Sequence, residues 1–187
     1  YRPFMVNGKV PDNLYFCVVD AYKVDKRDKD VTDKHSLYSC QVWMRSNTIT
    51  PYPNQKLLVC EYIGRLDTME ANDRIAIGMC LMYNCQCCPE AGTGETVSNF
   101  IKYKCRKHLM LDRTNANSRK LVNPHNNDYG IVIGDGDKKF NGLRMLKEFV
   151  YETLSLTSDG NKIRRINYIN SVRLCLELQR FSIEGNF

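Results

Sequence analysis

Long apolar runs are missing from this 187-residue chain. No stretch approaches the roughly 20 residues that a helix needs to cross a bilayer. The first ten residues, YRPFMVNGKV, lack the charged-then-apolar pattern of a secretory leader. A start at Tyr1 is what a fragment or a processed chain would show. Proline and glycine are sparse, 6 and 11 residues, which excludes collagen-like and low-complexity classes. Hydrophobic residues at 43% and charged residues at 26% exclude wholesale disorder. No Asn-x-Ser/Thr acceptor occurs, which disfavours a glycosylated ectodomain.

Signatures of catalysis are equally thin. There are three histidines, His35, His108 and His125. A triad would have to use His35 or His125 on polar loops, and no nucleophile elbow accompanies them. The segment GTGET around Glu95 is not followed by the Gly-Lys-Ser/Thr of a phosphate loop. GDGDKK at 134–139 lacks the twelfth-position glutamate and flanking helices of a calcium hand. The expectation is a protein that is not an enzyme.

Charge and cysteine are what the chain does have. The net charge is +6, and residues 101–120 hold seven cations (Lys102, Lys104, Arg106, Lys107, Arg113, Arg119, Lys120) against Asp112. That segment accounts for the whole excess. Such a stripe suits a polyanion or is a solvated basic loop. Nine cysteines is an odd number, unlike a disulfide-stapled secreted scaffold. Cys17, Cys40, Cys60 and Cys80 lie within apolar stretches, as buried free thiols do, so a reducing, intracellular compartment is favoured. Cys80, Cys85, Cys87 and Cys88, ahead of Cys105 and His108, are too bunched for two zinc knuckles. No metal or other cofactor is expected.

Along the chain, β-branched and aromatic runs separated by turn signals suggest strands at residues 14–24, 37–45, 57–65, 74–83 and 97–108. Residues 66–73 suit a short helix or an irregular crossing. Residues 25–35, 47–54 and 84–96 read as loops. Leu143, Leu146, Val150 and Leu154 fall at helical spacing, so a helix is predicted over 143–154 and would cover the floor of a barrel. Val172, Leu174, Leu176 and Leu178 alternate, which predicts a sixth strand over 172–178.

Five strands with long loops after the first and fourth match an OB-fold, whose groove binds oligonucleotides. Strand parity in 97–108 would put Phe100, Lys102, Lys104, Arg106 and His108 on one face, cations and a ring in a row. A cationic track with aromatic platforms is what single strands require. Lys23 with Tyr22, Arg45 with Trp43, Tyr52, Tyr62 and Tyr83 lie at or near the expected groove. An aromatic in a small barrel is more often core than platform, and a place at a strand end shifts that balance toward function.

The segment VWMRSNTITPYP, the strand NQKLLVCEY, and then NDRIAIGMCLMY, NFIKYKCRKH, NDYGIVIGDGD and LRMLKEFVYETL resemble, in order and spacing, the second OB-fold of protection-of-telomeres proteins. The resemblance covers about residues 12–155. It implies binding of single-stranded telomeric DNA in the nucleus, at chromosome ends, together with a telomere-associated protein partner. It also implies a base-stacking Tyr62, a base-contacting His108 and a contact from Tyr129.

The expected architecture is therefore mainly β: a five-stranded OB-fold barrel with a C-terminal helix, occupying 12–155, and a strand-like tail at 156–187. That tail would complete the sheet or dock a partner. The expected function is capture of single-stranded telomeric DNA by Lys102, Lys104 and Arg106, with stacking on Tyr62 and other rings. The rival is an OB-fold interaction module of a telomere or replication complex that binds no DNA of its own. No membrane partner is expected.

Overall fold

The computed structural model describes residues 1–21, 37–50, 56–90, 94–111, 128–131 and 136–183. The chain divides into two compact units, Tyr1–Val132 and Ile133–Phe187. In the first unit the strands β1 (Tyr15–Asp20), β2 (Tyr38–Met44) and β3 (Leu57–Gly64) run antiparallel in a meander, at the places the sequence suggests. A bulge between Val42 and Trp43 shifts the β2–β3 register. Then comes helix α1 (Met69–Tyr83), followed by β4 (Gln86–Pro89), which lies parallel to β1. Helix α2 (Gly94–Lys102) and a 3-10 turn (Arg106–His108) follow. The sheet order is β3-β2-β1-β4. Parallel bridges from Cys87 to Leu109 and from Glu90 to Ile131 carry the sheet one step past β4.

This is an open mixed α/β sheet, and the expected mainly-β barrel is corrected by it. The expected fourth strand is α1. Its buried residues Met69, Asn72, Asp73, Ala76, Ile77, Cys80 and Tyr83 recur at helical spacing. The pattern is masked in sequence because two of its inward positions are polar. The Thr68 side chain caps the first turn by accepting from the Ala71 N–H at 3.1 Å. Asn84, in the left-handed conformation at φ 46°, ends the helix. The expected fifth strand is α2 and the 3-10 turn. Thr96, Val97, Asn99 and Phe100 are its inward side, so strand parity does not apply to 97–108.

Alternation in β1 sends Tyr15, Cys17 and Val19 into the core beneath α1, and leaves Phe16, Val18 and Asp20 on the opposite face. The polar residues of α1 are paired. Asp73 accepts from the Tyr38 hydroxyl at 2.8 Å and from the Asn99 amide at 2.7 Å. Asn72 accepts from the Tyr62 hydroxyl at 3.0 Å and donates to the Thr68 carbonyl at 2.9 Å. These bonds join β2, β3, α1 and α2, and they satisfy polar atoms that would cost about 1–3 kcal/mol each if buried alone.

The second unit holds helix α3 (Gly136–Tyr151), a hairpin of β5 (Thr153–Leu156) and β6 (Lys162–Arg164), and helix α4 (Val172–Ile183). Helix α3 covers most of the predicted 143–154 and ends where the hairpin begins. The expected sixth strand is α4. Its half-buried residues Leu174, Cys175 and Leu178 keep helical spacing, while Val172 is 77% exposed. The Ser171 hydroxyl caps it by accepting from the Leu174 N–H at 3.1 Å. Buried Arg165 pairs with Glu152 at 2.5 Å and stacks over Phe149. Among the described residues no helix is long and apolar enough to cross a membrane.

Candidate active site

The residues expected to line a DNA groove are dispersed by the helices. Phe100 is fully buried in the core. Tyr83 is buried too, edge-on to Tyr15 at 5.1 Å, with its hydroxyl donating to the Tyr1 carbonyl. Tyr62 is half-buried and tied to Asn72, on the helix-covered side of the sheet. Lys102 ends α2 and pairs with Glu70 at 2.7 Å; that contact lowers the Glu70 carboxyl and raises the Lys102 ammonium. Lys104 is exposed in a turn at φ 57°. Lys23 lies outside the described residues, as do Tyr22, Tyr52, His35 and His125.

Two pairs from that set do meet. Arg106 donates to the Tyr129 hydroxyl at 2.7 Å, and its guanidinium lies over the same ring. Tyr129 is itself buried, so the pair fixes the 3-10 turn to the strand segment around 129–131. Arg45 and His108 share a polar pocket of about 360 Å³ with Lys107, Asp12, Asn84 and Gln86. Arg45 is braced there over Phe16, its guanidinium carbon 5.1 Å from the ring centroid. His108 is buried and holds the Cys85 carbonyl through Nδ1 at 2.8 Å. This pocket opens at the end of the sheet where β1 and β4 begin.

The other end of the sheet carries a different arrangement. Parallel β1 and β4 pair residue for residue from Phe16–Gln86 to Val19–Pro89. The Glu90 N–H then donates to the Val19 carbonyl at 3.3 Å. Asp20 and Glu90 therefore leave the sheet side by side, at the carboxyl ends of two adjacent parallel strands. Neighbouring strands run about 4.8 Å apart, so both carboxylates can reach one ligand. Asp20 is exposed and Glu90 half-buried. Pleat alternation puts Asp20 on the face opposite α1, as it does Val18 and Phe16.

That face is lined farther in by a polar row. Val18, Gln41 and Glu61 lie opposite one another on β1, β2 and β3. The Gln41 amide donates to Glu61 at 2.8 Å and its carbonyl oxygen accepts from the Trp43 indole at 3.2 Å. Gly130 backs the Glu90 position. At φ +87° its Cα sits so close to the Pro89 carbonyl that an added Cβ would lie 2.2 Å from that oxygen. The Ile131 N–H bonds the same carbonyl at 3.0 Å.

Neither Asp20 nor Glu90 is singled out by motif or composition in the sequence. A signal is present nonetheless: each acid closes a short, mostly apolar run, YFCVV and CCP, ahead of polar or glycine-containing sequence. Carboxylates at the carboxyl ends of parallel strands present hard oxygen ligands where open α/β sheets bind their ligands.

No protein-family model matches the chain, and comparison with curated proteins and with solved structures returns no match.

Proposed function

We propose that this chain is a metal-dependent nuclease, cleaving nucleic-acid phosphodiester bonds at Asp20 and Glu90. The observation that carries the reading is the β1–β4 register, which sets the two carboxylates side by side at the strand ends. Three features support it. Oxygen-only ligands of this kind suit magnesium or manganese, which take one or two carboxylates and fill the remaining positions with water and substrate phosphate. Among the described residues of the first unit no helix packs on the face beside them, where Val18 is 40% exposed. The net charge of +6, concentrated in residues 101–120, suits a polyanion. Nucleic acid thus remains the ligand class that the sequence suggests, and the expectation of a non-enzyme is replaced.

In this reading Asp20, on the inner strand β1, and Glu90, braced by the Pro89–Gly130 contact, would hold divalent cations against the phosphate. When bound, such ions activate water and stabilise the charge on the attacking and leaving oxygens. The chain's own contribution is rigidity: both carboxylates hang from hydrogen-bonded backbone rather than from a loop.

The test is cleavage of plasmid DNA, of G-rich and C-rich telomeric single strands, of a scrambled strand and of the matching RNA, with magnesium, manganese or chelator. Cleavage that needs metal and falls by more than about 100-fold in both Asp20→Asn and Glu90→Gln is expected, with substrate binding kept. Cleavage indifferent to either substitution or to chelator would refute the assignment. So would an inert wild-type chain; if that chain still bound telomeric single strands tightly, a binding function without catalysis would stand instead.

A further inference from the structure

We infer that Cys17, Cys80 and Cys87 are the nucleus of a buried structural centre for one thiophilic metal ion, of which zinc is the expected occupant, with Cys40 beside Cys17 as the fourth thiol. The four thiols come from β1, β2, α1 and β4, and all four are 0% exposed. The sulfurs of Cys17, Cys80 and Cys87 lie within 4.8 Å of one another. Cys40 adds a fourth, 3.4 Å from Cys17. Zinc–sulfur bonds of about 2.3 Å in a tetrahedron place sulfur pairs about 3.8 Å apart. The sulfurs of Cys17, Cys80 and Cys87 are no farther apart than 4.8 Å, so small side-chain shifts bring them around one ion; Cys40 stands outside that trio and closes the tetrahedron by turning from Cys17 toward Cys80 and Cys87.

A free buried thiol is ordinarily a small hydrophobe, and one or two in a core need no further account. Three converging from β1, α1 and β4, with a fourth from β2 in contact with Cys17, is a different arrangement, because these sulfurs have thiols where an apolar core would give them carbon. Binding displaces the thiol protons to solvent and requires no oxidant.

The centre would clamp the register that matters for the carboxylates. Cys17 and Cys87 are direct partners in the β1–β4 ladder, and Asp20 and Glu90 follow them by three residues each. It is independent of the nuclease reading, since a clamp of this kind would hold whatever the strand ends do. Sequence spacing hides it because the ligands are 23, 40 and 7 residues apart and belong to separate elements.

The test is the metal content of the intact chain, purified without chelator, by mass spectrometry of the elements. About one zinc per chain is expected, lost in Cys17→Ser and in Cys80→Ser but kept in Cys60→Ser and Cys175→Ser. Because a core substitution can abolish folding, cobalt exchange into the wild-type chain gives a second readout. Intense thiolate-to-cobalt charge-transfer absorption is expected, together with a lower thermal midpoint after chelation. A metal-free chain whose midpoint and absorption ignore zinc and cobalt would overturn the proposal. So would a Cys17–Cys40 disulfide, or zinc kept by folded Cys17→Ser.

Discussion

Replacing Tyr38 by phenylalanine tests whether the buried carboxyl of Asp73 organises the first unit. The phenol is fully buried and donates to Asp73 Oδ1 at 2.8 Å. Burial, and after it the neighbouring Asp73, push the Tyr38 phenol far above its ordinary value, so it stays a donor at any working pH. Burial also raises the Asp73 carboxyl, against the bonds from Asn99 and Tyr38 that favour its charged form. A hydrogen bond to a charged group contributes about 1.5–3 kcal/mol and a neutral one about 0.5–1.5. Tyr38→Phe should therefore cost about 2 kcal/mol at neutral pH, or roughly 4–8 °C in midpoint. The cost should fall to about 1 kcal/mol in acid, once Asp73 is protonated. Trp43, the chain's only tryptophan, lies on β2, so its fluorescence in a urea titration follows the first unit. A loss below about 0.5 kcal/mol at neutral pH, or one that does not shrink in acid, would refute the network as the organiser.

Asp73→Asn should show the opposite pH trend. Because the folded-state value of Asp73 is raised, the folded chain binds a proton before the unfolded one. Wild type thus gains stability as pH falls from that value to the ordinary carboxylate range, and the asparagine variant does not, so the gap between them should widen on acidification. Parallel urea titrations at several pH values check this, and a gap that narrows in acid refutes it. Gly130→Ala should destabilise by about 2 kcal/mol or more, since it combines a positive φ with a Cβ placed on the Pro89 carbonyl. It should also slow cleavage through displacement of Glu90. A stable variant with full activity would show that the close approach is not needed.

How much of the fold was legible depended on what each element had to bury. The first three strands are half-buried antiparallel segments, and their β-branched, aromatic alternation is direct evidence of that environment. Helix α1 was not legible because Asn72 and Asp73 occupy its inward face. A polar residue breaks an apolar stripe, although here both side chains are bonded inside the core. Helix α2 misled through parity: reading 97–108 by twos lined up Lys102, Lys104 and Arg106, whereas reading by threes and fours gives Val97 and Phe100 as the inward pair. In α4 the alternation of Val172, Leu174, Leu176 and Leu178 is also incidental. Ser171 caps a helix there, and the leucines at 174 and 178 are four apart on its half-buried side.

The candidate site was harder to read, because its residues acquire meaning only from a pairing of segments 70 residues apart. An aspartate after an apolar run is a common strand ending; beside a glutamate on a parallel neighbour it becomes one of the two carboxylates proposed to hold a cation. The same pairing explains why thiols and carboxylates belong to one account. Cys17 opposes Cys87 and, three residues on, Asp20 leaves the sheet beside Glu90. A slip of β4 by one residue would turn Cys87 to the face opposite α1 and set Pro89 against Asp20, so both proposed sites would be lost together. Strand β4 is only four residues long, too short for its ladder alone to specify register strongly. Beside the bridge from Cys87 to Leu109, two contacts help to fix it: the thiols at Cys87 and the Gly130–Pro89 approach. Disturbance at either contact should therefore reach Glu90 before it unfolds the sheet.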